Sequence, residues 1–444
     1  MPALSRSEQV ELVLIALALI VAAILRLHQI GSNNRLSSDE FGYIGDANDL
    51  RHLAGYESFH WAPGTPAMFA VAAWLTGHSG ISAVAHSHGI AQYAQWLVEL
   101  ATLVLVGLVA WRIAGVWAAL LAVVAMGTYG PLLEVTRTYL SEPLGGLMLV
   151  AMVAAAAWGR RRGWRWLLGA GVIGGLACLA REDFVPGAVV IVLALAIERR
   201  GTRRQALARA SLYAVGALVA LAPWIGYASH SEHSLVVVTT GGNDALFIGT
   251  YLPGNGGQFQ TVAKFKGAVC RRLPKECNSP PGDAAPMFQL ITAEHPGDSH
   301  NAAVNAAVIS NLRKYALGRP LAFAGMLARK LWAMWSVPWS GGNGTADAPG
   351  AAATTLDLIA VALAWLGLLL GACLYRRRWS VVVPSAALVV VIAVNDWFGP
   401  EPRDTLRLSP LLFALGAGGL AATTKRLLGR RNGAAGAAQL RPET

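Results

Sequence analysis

Ten runs of mainly apolar residues recur along the chain, and they constrain its fold more than any other feature of the sequence. An α-helix needs about 20 such residues to cross a hydrocarbon core about 30 Å thick, so several runs approach spanning length and others fall short. Because 55% of the residues are hydrophobic and only 14% are charged, against about 25% in ordinary soluble domains, a water-soluble fold is excluded. We predict an all-α polytopic membrane protein with about ten transmembrane helices. The runs are 10–27, 90–113, 116–133, 143–158, 166–180, 184–197, 210–227, 356–375, 381–394 and 408–423.

Basic residues gather in the loops on one side of this alternation. Lys and Arg are retained in cytoplasmic loops, so the clusters predict that both termini are cytoplasmic. These loops largely account for the net charge of +11, which therefore indicates membrane topology and anionic lipid headgroups and not a nucleic-acid partner. We predict a multi-pass protein of the inner or plasma membrane. The clusters are 160–162, 199–204, 376–378 and 425–431.

Two long segments remain on the external side. The first, 28–89, is an external loop that contains an acidic pair. The second, 229–354, is the only sizeable soluble region. In it, 301–317 has helical spacing. The stretch 321–337 is apolar with two cations in its middle, and we predict that it is an interfacial amphipathic helix. The predicted parts are an N-terminal transmembrane core at 1–228, a small external region of helices and loops at 229–354, and C-terminal transmembrane helices with a short cytoplasmic tail at 355–444.

Four groups of ionisable residues lie near run ends on the external side. Such residues are costly at membrane depth unless they line a protein or water-filled cavity, which makes them functional candidates. The alternative is that each group is a structural ion pair that ties two helices together. Convergence of four groups on one face favours a site. The groups are Asp39 with Glu40; Glu134 with Arg137 and Glu142; Arg181 with Glu182 and Asp183; and Glu401 with Arg403, Asp404 and Arg407.

Cysteine usage is sparse. Cys270 and Cys277 both lie in the external region, where the compartment permits oxidation, so a small disulfide loop is favoured over a zinc site. Cys178 and Cys373 lie within apolar runs, where we expect packing roles. The sequence contains no Walker loop, dinucleotide fingerprint or Ser-His-Asp signature, so energy for any transfer must arrive with an activated substrate.

Four short stretches resemble the GT-C superfamily of polyprenyl-phosphate-dependent glycosyltransferases, in the branch of protein O-mannosyltransferases and lipid A aminoarabinose transferases. The stretch 39–43 matches the family's Asp-Glu-x-x-Tyr in the first external loop, and 139–144 is similar to its Ser-Glu-Pro-Leu. Glycines at 241–242 resemble the opening of the large external loop, and 403–410 resembles an Arg-rich, Pro-containing entry into a late span. The chain departs from the family's His-Pro-Pro-Leu, having Trp-Ala-Pro-Gly at 61–64.

The resemblance implies transfer of a sugar from a polyprenyl-phosphate donor to a hydroxyl of a lipid, polysaccharide or protein acceptor on the external or periplasmic face. It makes Asp39 the general base of an inverting reaction, with Glu40 orienting the acceptor or the loop. The alternative for Asp39 is a helix N-cap, because good capping residues precede a predicted helix at 41–53.

The donor phosphate requires cations that stay charged when desolvated, which favours arginine. We predict Arg403, Arg407 and Arg181 as the phosphate-binding residues. Tyr43, His60 and Glu142 are predicted substrate-binding residues, although a lone Tyr or His at an interface is as often an anchor. The alternative phosphate site is a basic group on the external loop. It consists of Lys264, Lys266, Arg271 and Arg272.

Two points stay open at the level of sequence. No metal ligand is assigned and no cofactor is certain, and the resemblance leaves the use of a divalent cation open because members of the superfamily differ on it. The competing function is a transporter or flippase for a lipid-linked saccharide. Transporters place substrate near the bilayer midplane between symmetry-related repeats, whereas here no internal repeat is evident and the charges gather at one interface.

Overall fold

The computed structural model describes most of the chain, and every regular element within that part is a helix. The predicted all-α class is therefore confirmed. Three residues of the predicted basic clusters, Arg199, Arg200 and Arg377, lie outside the described residues. The described residues are 6–31, 36–52, 55–56, 59–77, 90–198, 201–280, 282–337, 339, 351–376, 378–399 and 401–439.

These residues form eighteen α-helices, joined by short 3₁₀ turns and one π-helical turn. The first ten are α1 (Arg6–Leu27), α2 (Ser38–His52), α3 (Gly64–Leu75), α4 (Ile90–Ala114), α5 (Val116–Thr128), α6 (Gly130–Glu134), α7 (Glu142–Gly159), α8 (Trp164–Ala180), α9 (Val185–Ala196) and α10 (Arg203–Ser231). The remaining eight are α11 (Gly242–Thr250), α12 (Gln258–Arg272), α13 (Ala285–Ala293), α14 (His300–Asn311), α15 (Pro320–Ser336), α16 (Ala351–Leu374), α17 (Trp379–Trp397) and α18 (Thr405–Gln439).

Each of the ten predicted apolar runs coincides with a helix or, in one case, a bent helix pair. Seven described helices are long and apolar enough to cross a membrane, namely α1, α4, α7, α10, α16, α17 and α18. The pair α5 and α6 makes an eighth if it is counted as one span bent by 62°. The other two runs form α8 and α9, whose 17 and 12 residues fall short of that length. The chain is an integral membrane protein.

The bend between α5 and α6 has a local cause. Tyr129 between the two helices is extended, and Pro131 in the first turn of α6 has no backbone N–H to continue the hydrogen bonds of α5. The freed backbone N–H of Gly130 donates to Asp357 Oδ1 of α16 at 2.9 Å, so the break is satisfied by a neighbouring helix.

Helix α18 is the centre of the membrane part. Its apolar window is 94% buried, against 11% for α1, and it packs on α4, α5, α7, α16 and α17. Glycines permit the closest contacts: a Cβ on Gly419 would lie 1.8 Å from the carbonyl oxygen of Gly367 on α16. This central position brings the first turn of α18 against the ends of α7, α9 and α17.

The region 229–354, which is predicted to be external, contains several helices with a small core of their own. Phe247, Phe288 and Val304 pack together between α11, α13 and α14. The predicted helical spacing of 301–317 is confirmed, because α14 continues into a π-helical turn at Leu312–Leu317. A disulfide joins Cys270 and Cys277. Helix α15 covers the predicted interfacial stretch.

One cation of α15 has an unexpected place. Lys330 is buried, and its Nζ donates to the carbonyl oxygens of Gly249, at 3.1 Å, and Asp396. These carbonyls belong to the ends of α11 and α17, so Lys330 links the region 229–354 to a membrane helix. The interfacial position of α15 itself stays a prediction.

Candidate active site

A cavity of about 1380 Å³ lies where the ends of α9, α17 and α18 meet the external helices α11 and α13. Six of the eight predicted site residues line it, whereas Glu40 and Glu142 do not. Three of the four predicted ionisable groups converge there. In the fourth, Glu134 pairs with Arg137 at 2.6 Å, and only Glu142 joins the others. The six lining residues are Asp39, Tyr43, His60, Arg181, Arg403 and Arg407.

The first turn of α2 places the two acidic residues of the pair in different surroundings. Helix α2 begins at Ser38, three residues earlier than predicted, and Ser37 caps it: the N–H of Glu40 donates to Ser37 Oγ at 3.4 Å, and the N–H of Ser37 donates to Glu40 Oε2 at 2.7 Å. Glu40 Oε1 also accepts from the N–H of Tyr139 at 2.9 Å. Asp39 is therefore not the cap, and the buried Glu40 anchors the helix while Asp39 faces the cavity.

Arg403 bridges two carboxylates. Its Nη2 lies 2.8 Å from Asp39 Oδ2, and its Nε lies 3.2 Å from Glu142 Oε1 at the buried start of α7. A 3₁₀ turn at Pro402–Asp404 presents the side chain, and the N–H of Glu401 donates to Asp404 Oδ2 at 2.8 Å to close that turn. Arg403 thus couples the first external loop to the entry into α18.

Arg407 borders the cavity but is only 1% exposed, because three acceptors surround its guanidinium. Its Nη2 lies 2.6 Å from Asp183 Oδ2 and donates to Asn395 Oδ1 at 2.9 Å, and its Nη1 donates to Asp404. These partners belong to the turn before α9, the end of α17 and the turn before α18. Arg407 therefore holds three chain segments together at the base of the cavity.

Arg181 shares Glu142 with Arg403 and Asp183 with Arg407. Its Nη1 donates to Ser141 Oγ at 2.6 Å and lies 3.6 Å from Glu142 Oε1. Burial opposes its charge, but Asp183 and other nearby anions raise the pKa of Arg181 above its ordinary value, so it remains a cation. Tyr43 donates to the same Ser141 Oγ at 2.9 Å, and burial raises the pKa of Tyr43, so the phenol remains protonated.

The three guanidiniums differ in what they can offer a substrate. The side chains of Arg403 and Arg181 are 24% and 16% exposed and line the cavity, whereas that of Arg407 is 1% exposed. Arg403 and Arg181 are therefore accessible to a ligand in the cavity, while Arg407 is committed to protein partners. None of the four basic residues predicted as the alternative phosphate site lines the cavity.

The carboxylates of this cluster do not fit a divalent cation as they stand. Each one lies within 4.0 Å of a guanidinium, so its oxygens are already engaged by positive charge. Among the described residues no group of three or more His, Cys, Asp or Glu side chains is arranged to hold a metal ion. The carboxylates concerned are Asp39, Glu142, Asp183 and Asp404.

The opposite wall carries residues that sequence reasoning missed. His300 Nε2 lies 2.9 Å from Asp244 Oδ1, and His300 Nδ1 lies 3.3 Å from Thr292 Oγ1. Burial raises the pKa of Asp244 even though His300 opposes the shift. The glycine-rich stretch before Asp244 was the available signal, and it packs closely here: a Cβ on Gly241 would lie 2.7 Å from the ring of His60. No sequence pattern singled out His300.

Comparison with solved structures identifies similar folds. The archaeal oligosaccharyltransferase AglB from Archaeoglobus fulgidus, in complex with an inhibitory peptide and a dolichol-phosphate, has a TM-score of 0.54 and 13% identity over 96% of this chain and 52% of that chain. The Archaeoglobus fulgidus oligosaccharyltransferase tethered to an acceptor peptide with the NVT sequon has a TM-score of 0.53 and 14% identity, covering 94% and 50%. ArnT from Cupriavidus metallidurans bound to undecaprenyl phosphate has a TM-score of 0.38 and 17% identity, covering 94% and 79%.

This chain spans about half the length of the oligosaccharyltransferase structures that it matches. No protein-family model and no curated protein matches its sequence. At this level of identity the likeness concerns the fold alone. The chain therefore shares the fold of these archaeal oligosaccharyltransferase structures, in agreement with the fold predicted from the four short motifs.

Proposed function

We propose that this protein is an inverting glycosyltransferase that moves a sugar from a polyprenyl-phosphate donor to an acceptor hydroxyl on the external face of the membrane. The observation that carries the proposal is the contact between Asp39 and Arg403, 2.8 Å apart at the wall of a large cavity. A carboxylate able to take a proton and a guanidinium able to bind phosphate are adjacent there, as a sugar-phosphate displacement requires.

In this reaction the acceptor hydroxyl gives its proton to an Asp39 oxygen while its own oxygen attacks the anomeric carbon. The bond between that carbon and the phosphate oxygen breaks, and the electron pair leaves with the lipid phosphate. A single in-line displacement inverts the anomeric configuration. Arg403 and Arg181 stabilise the negative charge that develops on the departing phosphate.

Arg403 also links donor binding to the state of the base. Its Nη2 is paired with Asp39 Oδ2. A phosphate beside Arg403 competes for that guanidinium, and this competition releases Asp39 to accept a hydrogen bond from the acceptor. Asp39 thus becomes available as a base when donor is bound. Arg407 and Glu142 position Arg181 and Arg403 without contacting substrate.

The other surfaces of the cavity suit the remaining parts of the substrates. Val185, Pro186 and Val394 at the ends of α9 and α17 give an apolar border for a polyprenyl chain. Asp244 and His300 on the facing wall offer polar groups for sugar or acceptor hydroxyls, beside the ring of Phe288.

The decisive experiment compares Asp39→Asn with Asp49→Asn in membranes given labelled polyprenyl-phosphate sugar. Both changes remove one carboxylate from α2, but Asp49 does not line the cavity. We expect Asp39→Asn to abolish formation of the new glycoside and of free lipid phosphate, and Asp49→Asn to retain both. Transfer at the wild-type rate by Asp39→Asn would refute the role of the base. Movement of intact lipid-linked sugar across the membrane, without any new glycoside, would favour the transporter alternative.

A further inference from the structure

A second cavity, of about 750 Å³, lies at the opposite end of α16, α17 and α18. Four of its seven lining residues are cations, and none of the seven is acidic. The residues lie at the end of α16, in the turn before α17, and on the later part of α18. They are Leu374, Tyr375, Arg376, Arg378, Ala422, Lys425 and Arg426.

The geometry of α18 sets the distance between the two cavities. Arg407 borders the candidate active site and Lys425 borders the basic cavity, and both belong to the same helix. Eighteen residues of α-helix rise about 27 Å, which is close to the hydrocarbon thickness of a bilayer. The basic cavity therefore lies at the other membrane interface, on the side that the sequence predicts to be cytoplasmic.

The cations of this cavity differ from others at the same end of the protein. Glu198 pairs with both Arg160 and Arg209, the latter at 3.2 Å, so those charges are neutralised. Within the described part of the chain no carboxylate pairs with any of the four cavity cations. An uncompensated group of four positive charges around a concave surface favours an anionic ligand.

Two of the four cations are held in place by neutral groups that leave their charge intact. The guanidinium of Arg378 lies 4.2 Å from the ring centre of Tyr375. Lys425 Nζ donates to the carbonyl oxygen of Ala114 at the end of α4, at 2.7 Å. The N-terminus of α17 opens at the same place, and its backbone N–H groups add favourable potential for an anion.

We propose that this cavity binds the phosphate of an anionic phospholipid headgroup. The ligand is a lipid and not a free phosphate because the cavity lies at a membrane interface and its wall includes the apolar side chains of Leu374 and Ala422. This binding site does not depend on the proposed transferase activity.

The test uses the purified full-length protein in detergent, stripped of lipid and titrated with phosphatidylglycerol or phosphatidylcholine. Native mass spectrometry counts the bound lipid. The variant is Arg376→Gln with Arg426→Gln, since both side chains are exposed. Its matched control is Arg203→Gln with Arg204→Gln, which removes the same charge from exposed arginines in the first turn of α10, outside the cavity.

We expect the wild type to bind phosphatidylglycerol in preference to phosphatidylcholine. Removal of two cavity cations should weaken phosphatidylglycerol binding about 30-fold, since each cation contributes about fivefold. The control should change it by no more than about twofold. Arg376→Lys with Arg426→Lys should retain most of the binding, because the charge is kept.

Three results would overturn the proposal. Equal affinity for the two lipids would show that the phosphate charge is not recognised, and equal weakening by variant and control would assign the effect to net charge. Displacement of the lipid by inorganic phosphate at comparable concentration would assign the cavity to the free anion. Gel filtration of each variant establishes that the compared proteins are folded.

Discussion

The substitution Arg403→Ala separates a phosphate-binding role from a structural one. Arg403 contacts Asp39 at 2.8 Å and the buried Glu142 at 3.2 Å, so its removal has two effects. Loss of one donor to the developing phosphate charge should reduce kcat by about 100-fold to 1000-fold. Because Arg403 is the nearest cation to Glu142, its loss should also lower the free energy of unfolding.

The stability cost follows from the surroundings of Glu142. Its side chain is 1% exposed, its Oε2 makes no hydrogen bond within the described residues, and its other cation, Arg181, is 3.6 Å away. Leaving a buried polar group poorly satisfied costs about 1–3 kcal/mol. The double change Arg403→Ala with Glu142→Gln removes the unpaired charge and should recover most of this free energy.

The assay measures thermal unfolding in detergent and transfer of labelled sugar for the wild type, both single variants and the double variant. We expect the double variant to recover stability but not transfer, because Gln does not replace a cation at the phosphate. Recovery of transfer together with stability would refute the reasoning, since Arg403 would then act only by supporting Glu142.

Two further predictions concern buried ionisable groups. Arg407→Met should lower the free energy of unfolding by about 3–5 kcal/mol, because it leaves Asp183 and Asp404 without their main partner. A decrease no larger than that of Arg313→Met, a control at an exposed arginine, would contradict this prediction. Burial raises the pKa of Asp46 from 3.8 to about 7, so the stability that its protonated form contributes is present below the lower value and is lost as pH rises to the upper one. Asp46→Asn should therefore reduce the dependence of the unfolding midpoint on pH in this window and should have a higher midpoint than the wild type above it. An unchanged slope would contradict the raised pKa of Asp46.

Several local features of the site were predictable because they depend on neighbouring residues. Apolar runs of near-spanning length became helices, since a backbone in lipid must satisfy its own hydrogen bonds. A helix was also correctly predicted at the acidic pair, but it begins at Ser38, so Asp39 and Glu40 lie in its first turn. The alternative that Asp39 is the N-cap is wrong, because Ser37 provides the cap and Glu40 completes the capping box.

Other features needed the packed structure. Arg407 and Arg403 stand in similar surroundings in the sequence, yet one is committed to Asp183, Asp404 and Asn395 while the other faces the cavity. The facing pair of Asp244 and His300 is separated by 56 residues and had no common pattern. Distances of this kind depend on how the external helices pack over the ends of α9 and α17.

The sequence by itself determined the membrane class, the helical runs and the set of ionisable residues at their external ends, because hydropathy and the cost of buried charge act locally along the chain. The tertiary structure decided which of those charges meet and which remain accessible to a substrate. That decision rests on helix packing around α18, which brings residues as far apart as Asp39 and Arg403 into contact and buries Arg407 beside them.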